Sequence, residues 1–289
     1  MSEPNSLDEH LQDIWSNWRE RTNECLDCPH WGNGGAKAPH YGVGEITEGS
    51  PTVAFVGHEG GPGGNSALEH IANRPTPDLS ERQVEEIKEY ISETYPEDFE
   101  ERRAMDLMET GMCNGDLTDK GTPHSPYMRE CYDAFRNGDN QYGLYFTNIK
   151  KCGESYAFGE KESKSKEATS RCMGYLAPEF EHLAPDIIVP FGNRAAGAVF
   201  SNYEFKNGYP SGFDVEHPYN AGGIVSESLK LYETENGIGV IPSIHFSQNR
   251  FNSWFKEVKR GRDDLRDNMS RSDYWEELVT ISNRFLQSG

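Results

Sequence analysis

The chain has 289 residues, enough to bury a full core, and carries 48 acidic against 28 basic residues for a formal net charge of −20. Its 14 Tyr, 14 Phe and 5 Trp exclude a disordered acidic segment, which lacks the aromatics needed to build a core. No stretch approaches the roughly 20 apolar residues that a membrane span requires, so no membrane partner is expected.

At this length one domain spanning 1–289, interrupted by insertions, is the natural reading. The acids are spread from Glu3 to Glu277 rather than gathered in one tail. That distribution fits a salt-adapted, halophilic surface, on which carboxylates stay hydrated and molar salt screens their repulsion. The opening MSEPNSLDEH is acidic and has no apolar run, so a secretory signal is not expected. Six cysteines in such a chain do not suggest a disulfide framework. A cytoplasmic monomer is the expectation.

Taken in order, Leu7 to Asn23 has Leu7, Leu11, Ile14, Trp15 and Trp18 at helical spacing. A Gly/Pro-rich loop follows, running past Cys25 and Cys28 to Pro51. Thr52 to Val56 is an apolar, β-branched run ending in Gly57, the pattern of a buried parallel strand that feeds a glycine-rich turn. Ser80 to Thr110 is charged and helical, within an acidic insertion at about 67–120. Pro126 to Phe135 predicts a short helix and Tyr142 to Ile149 a second buried strand. Lys166 to Leu183 predicts a helix, Asp186 to Pro190 a third strand, and Gly192 to Phe200 a helix straight after a glycine turn. A loop insertion is expected at about 202–236, with candidate strands at Leu229 to Glu233 and Gly239 to Ile244. Ser272 to Leu286 closes the chain as an amphipathic helix. Strands alternating with helices indicate an α/β fold whose mostly parallel central sheet is flanked by helices on both faces.

Cys25 and Cys28 form a C-x2-C pair on a loop after a helix. Alone, such a pair suits a zinc knuckle, a redox dithiol or no function at all. A thioredoxin-type role wants the pair at the start of a helix after a strand, which is not its place here. Cys152 follows the second strand and Cys172 lies in the next helix, after 19 intervening residues. Four thiolates suit soft metals, either Zn2+ or an iron–sulfur cluster. Cys113 and Cys131 read as packing residues.

Four blocks carry a resemblance. They are TVAFVGHEGGPGGN (Thr52 to Asn65), YFTNIKKC (Tyr145 to Cys152), RCMGYLAPEFEHLAPDIIVPFGNRAA (Arg171 to Ala196) and VIPSIHFS (Val240 to Ser247). In order, spacing and flanking strands they resemble the iron–sulfur uracil-DNA glycosylases, the family-four and family-five branches of that superfamily. The likeness runs from about Cys25 to Phe200, plus Gly239 to Arg262, across two insertions. It departs from the family where Gly57-His58-Glu59-Gly60-Gly61 replaces the usual first motif, and where His245-Phe246-Ser247 replaces the usual H-P-S, which marks a divergent branch.

The resemblance implies a three-layer glycosylase fold, a [4Fe–4S] cluster on Cys25, Cys28, Cys152 and Cys172, and hydrolysis of the N-glycosidic bond of uracil, or another deaminated base, in DNA. Such an enzyme flips the nucleotide out of the stack, reads the base in a pocket and stabilises the departing base. His245 corresponds to the donor aimed at O2 of the leaving base, and Glu59 to a carboxylate that orients the attacking water. Asn148 corresponds to the amide that reads the base edge, and His58 is a second donor at the same turn. His124, in Gly121-Thr122-Pro123-His124, takes the place of a stacking aromatic. Read from the residues themselves, Arg250, Lys256, Lys259, Arg260 and Arg262 form the best phosphate-contacting cluster. Phe251, Trp254 and Phe255, interleaved with it, serve either to wedge the duplex or to pack beneath the loop. A turn at Gly60 to Gly64 without a lysine at Walker spacing argues against nucleoside triphosphates. Two other readings stand beside the enzyme: a catalytically drifted nucleic-acid-binding or interaction module on the same fold, and a zinc-stabilised protein of another class.

Overall fold

A computed structural model describes residues 43–45, 49–59, 126–138, 141–150, 162–211, 213, 223–246, 248–261 and 269–288. The strands are β1 (Val43–Glu45), β2 (Thr52–Glu59), β3 (Gly143–Lys150), β4 (Ile187–Pro190), β5 (Tyr232–Glu233) and β6 (Gly239–Val240). The helices are α1 (Pro126–Arg136), α2 (Glu162–Leu183), α3 (Gly192–Asn202), α4 (Ile224–Glu227), α5 (Gln248–Gly261) and α6 (Arg271–Ser288). The six strands form one sheet in the order β1-β3-β2-β4-β6-β5.

Its centre is parallel: β2 pairs with β4, Val53 opposite Ile187 and Phe55 opposite Val189, and β4 pairs in the same sense with β6. Both edges are antiparallel, β1 on β3 and β5 on β6. The order and the crossover helices give the α/β architecture with a mostly parallel sheet that the alternating pattern predicts. Asp186 locks the start of the central pair. Its carboxylate accepts the Thr52 amide at 2.7 Å while its own amide donates to the Thr52 carbonyl at 3.0 Å.

The described residues divide into two compact units. The larger holds 43–57, 126–147 and 184–288, and its core lies on one face of the central strands. Val53, Phe55, Ile187, Val189 and Ile241 point into that core, where they meet Phe135 of α1, Phe251 of α5 and Trp275 of α6. The alternate residues Ala54, Val56, Ile188 and Val240 are as deeply buried. Burial of both sets is what a strand of continuous Val, Ile and Phe requires, since either face exposed would leave apolar surface in water. Helix α6 packs along α1, α5 against α4, and α3 along β4. The second unit holds His58, Glu59, 148–150 and α2, and buries Ile149, Lys150, Cys172, Leu176 and Phe180.

Several boundaries differ from the sequence expectation. Tyr232–Glu233 alone forms the strand expected from Leu229, because Leu229 adopts a left-handed backbone (φ 60°) that no strand accommodates. The regular ladder of β6 ends at Val240 rather than Ile244; Pro242 has no amide hydrogen to contribute, and the pairing beyond it is an isolated bridge, Phe191 with Ser243. Within 202–236, expected as a loop insertion with one candidate strand, α4 is a further regular element. The expected helix at Leu7 to Asn23 and the insertion at about 67–120 lie outside the described residues.

Candidate active site

His245 stands where β6 runs out at the carboxyl end of the parallel strands, the end at which open α/β sheets bind ligands. The chain reaches it by following β4. Ile241 N–H donates to Ile188 O at 2.9 Å, Ser243 N–H to Pro190 O at 2.9 Å, and Gly192 N–H to Ser243 O at 2.8 Å. Two residues later the imidazole of His245, half-buried, lies against Gly192, whose φ is +80°. A Cβ built on Gly192 would sit 3.4 Å from both Cβ and Cδ2 of His245. Glycine adopts the left-handed turn between β4 and α3 without strain, and a side chain added there would come into van der Waals contact with the ring.

Phe246 completes the local structure. Its ring stacks on His245 at 4.7 Å between centroids and meets Phe191 edge-on at 5.2 Å and Phe146 of β3 at 6.2 Å. The phenylalanine that departs from the family pattern is thus a packing residue that joins the histidine to the aromatic core.

His58 and Glu59 close β2, and Asn148 stands two residues before the end of β3; all three belong to the smaller unit. His58 is buried and Asn148 half-buried. The side chain of Glu59 lies outside the described residues, as does His124. Of the four expected metal ligands, Cys25, Cys28 and Cys152 also lie outside them, whereas Cys172 is buried on α2. Among the described residues no group of three or more His, Cys, Asp or Glu side chains is placed to hold a metal ion. Cys131, expected to pack, is fully buried in the core cluster.

The basic segment forms α5. Lys256 and Arg260 are exposed on it; the side chain of Arg250 is not among those described, and Arg262 lies outside the described residues. Lys259 is engaged within the fold, donating to the Met269 carbonyl at 3.4 Å with its ammonium 4.9 Å from the Phe255 ring centroid. Phe251 is fully buried, stacked on Tyr127 at 4.9 Å and tilted against Trp275 at 5.2 Å, while Trp254 and Phe255 pack at the edge of the same core. Phe251 therefore holds α5 in place and is not a wedge. No helix among the described residues is long and apolar enough to cross a membrane.

Two residues of this site were not singled out from the sequence. Gly192 reads only as a turn residue until the histidine is found against it. Tyr274 reads only as an apolar-face residue of the last helix, yet its hydroxyl reaches the segment that carries His245.

A family model described as the uracil DNA glycosylase superfamily matches residues 109–275, more than half of the chain. The match takes in Asn148, Cys152, Cys172, Gly192 and His245, and begins after Cys25, Cys28, His58 and Glu59. No curated protein matches the chain. The matched span holds β3, β4 and β6 of the sheet together with His245 and covers more than half of the chain, and the chain belongs to the uracil DNA glycosylase superfamily.

Proposed function

We propose that the protein is a DNA-repair glycosylase that hydrolyses the N-glycosidic bond of uracil, or of another deaminated base, in DNA. The observation that carries this reading is the place of His245: half-buried at the carboxyl end of the β4–β6 pair, backed by Gly192 and braced by Phe246. Cleavage leaves negative charge on the departing base, largely at O2. A ring N–H fixed before the reaction stabilises that charge without reorganising, an effect worth about 3 kcal/mol for one such donor. In this reading Asn148 pairs with the base edge, Glu59 orients the attacking water, His58 is a further donor and His124 stacks on the base. Arg250, Lys256 and Arg260 meet phosphates, with Lys259 a weaker contact because a carbonyl and a ring already hold it.

Cys25, Cys28, Cys152 and Cys172 would hold the [4Fe–4S] cluster. The donor set fits, since four thiolates suit iron–sulfur ligation, and the one ligand among the described residues, Cys172, is shielded from solvent on a helix. When bound, the cluster supplies a cross-link between distant segments, because hydrolysis needs no electron transfer. Iron and sulfide analysis of the purified protein tests this; zinc in place of iron would overturn it.

The drifted-module alternative gains little from the departure at Phe246, because that ring packs against Phe191 and Phe146 and leaves His245 in place. The deciding experiment incubates the protein with a uracil-containing oligonucleotide and cleaves the abasic sites formed. We expect excision, lowered about 100-fold or more in kcat by His245→Ala while the unfolding midpoint stays near that of the parent. Binding without excision, in low and in high salt, would favour the module.

A further inference from the structure

His245 leaves the sheet at a point where strand pairing can no longer fix its backbone. The bridge from β4 ends at Ser243, and the next amide, Ile244 N–H, donates to a side chain instead. That side chain is Tyr274, fully buried near the start of α6. Its hydroxyl accepts the Ile244 N–H at 3.2 Å and lies 3.0 Å from Ser243 Oγ. Ser243 is in turn bonded through its own backbone to Pro190 and Gly192, the turn on which the imidazole rests. One phenol thus grips both residues immediately before His245.

The hydroxyl has little freedom. Phe251, Phe255 and Trp275 all meet the Tyr274 ring at steep angles, with centroids 5.7, 5.7 and 4.9 Å away. Burial pushes the phenol up to about 12 against hydrogen bonds from Ser243, the Ile244 amide and Ser228, so it stays neutral throughout the working range. For filling this aromatic cluster a phenylalanine would serve as well. What the hydroxyl adds is a partner for a buried amide that the sheet leaves unpaired, and hence a fixed direction for the chain entering His245.

We infer that Tyr274 is a positioning residue for His245, its hydroxyl setting where the imidazole is held by fixing the Ser243–Ile244 backbone. The inference rests on the glycosylase reading for its catalytic consequence, but not for its structural one. Tyr274→Phe keeps the ring and removes the bond. Tyr142→Phe is the control, because its phenol donates to Asn283, away from the histidine.

Imidazole carbon–proton NMR signals give a readout that does not need activity, the His245 signal being identified by its loss in His245→Ala. Tyr274→Phe should shift and broaden that signal, whereas Tyr142→Phe should leave it in place. Ser243→Ala, which removes the partner hydroxyl but keeps the phenol, should move it less; it serves as the probe if Tyr274→Phe does not fold. On uracil-containing DNA, Tyr274→Phe should lower kcat by about 10-fold or more with KM within about twofold, as small misplacements of a reacting group do. In a His245→Ala background the same change should have an effect below about twofold, because the two residues act as one unit. An unmoved His245 signal would overturn the inference, and so would an equal loss of kcat in the His245→Ala background. If the parent excises no base but the signal still moves, the positioning role stands and the glycosylase reading falls.

Discussion

Phe135 and His245 both rest on the central strands, but they are held there in different ways. Phe135 meets Phe55 of β2 and Tyr142 edge-on, each at 5.3 Å, in a core that closes around it on every side. His245 rests on a glycine with φ +80°, at the end of a strand whose regular pairing has already stopped. The first region is specified by volume and apolar surface, which many neighbours share. The second is specified by single features: one missing Cβ, one left-handed turn, one phenolic hydroxyl. Phe191 links the two, lying 5.9 Å from Phe55 on one side and 5.2 Å from Phe246 on the other. The histidine is therefore placed by a turn of low redundancy that is anchored in a core of high redundancy. Damage to the core should appear as lost stability and damage to the turn as lost rate.

The largest effect should come from the core. Phe135→Ala removes a fully buried ring and should lower unfolding free energy by about 3–5 kcal/mol in denaturant titration, while the fraction still folded keeps its kcat. A fall in kcat per folded molecule would mean that the two regions are not separable. The glycines divide the effects more finely. Gly192 and Gly208 have φ of +80° and +77°, so an alanine at either is strained by about 1–2 kcal/mol. A Cβ on Gly192 meets His245, whereas one on Gly208 meets nothing within 4 Å. Gly192→Ala and Gly208→Ala should thus lose similar stability, and only Gly192→Ala should lose excision rate.

The same contrast explains how much could be read from sequence. The runs at Thr52, Tyr142 and Asp186 announce themselves as strands because both faces are largely buried and most residues are apolar or β-branched. The core helices announce themselves by spacing, as Cys131 and Phe135 show on α1. What is set by single contacts was not legible. The edge strand Val43–Glu45 carries too short a pattern to separate it from the loop around it. The end of β6 depends on Pro242, and the absence of Leu229 from β5 on a backbone angle that its side chain does not advertise. For the site, the block VIPSIHFS located His245, but Gly192 and Tyr274 act through spatial neighbours that no spacing rule connects. Phe251 shows an alternative that only burial decides: an aromatic among cations suits either a wedge in the duplex or packing beneath the loop, and its full burial assigns it to the core.

A smaller, pH-dependent effect should come from Glu227 at the end of α4. Burial pushes its carboxyl up, but hydrogen bonds from Tyr232, Lys230 and Ser226 together with the Lys230 charge outweigh this and hold it below the usual carboxylate range. A group whose folded value is depressed contributes stability that is full above its unfolded value. That contribution is lost as pH falls through the folded one. Glu227→Gln should therefore be less stable than the parent near neutrality, and the gap should close as the parent is acidified below about pH 4. Thermal midpoints across that range test the sign; a gap that widens in acid would contradict it.

The smallest effect should come from the ion pair that ties α6 to α1, and its salt dependence carries the information. Arg271 donates through Nε and Nη2 to both carboxylate oxygens of Glu130, and its guanidinium carbon lies 4.3 Å from the Tyr127 ring centroid. The side chains are 39% and 34% exposed, so water screens the pair and Glu130→Gln should lower stability by less than about 1 kcal/mol at low salt. The hydrogen bond to Glu130 raises the Arg271 guanidinium further, but it is charged wherever the protein folds, so no pH window arises from that partner. Salt acts on this pair and on the whole molecule with opposite sign. At about 1 M the screening length is about 3 Å, which removes most of this attraction and also the repulsion within a chain of net charge −20. In potassium chloride from about 0.1 M to 1 M, the parent should gain stability while the difference between it and Glu130→Gln shrinks toward zero. A parent that loses stability over that range would mean that paired charges like this one outweigh the unpaired carboxylates, which would overturn the salt-adapted reading of the surface. A difference that survives the salt would instead place the strength of the contact in its paired hydrogen-bond geometry, which long-range screening does not remove.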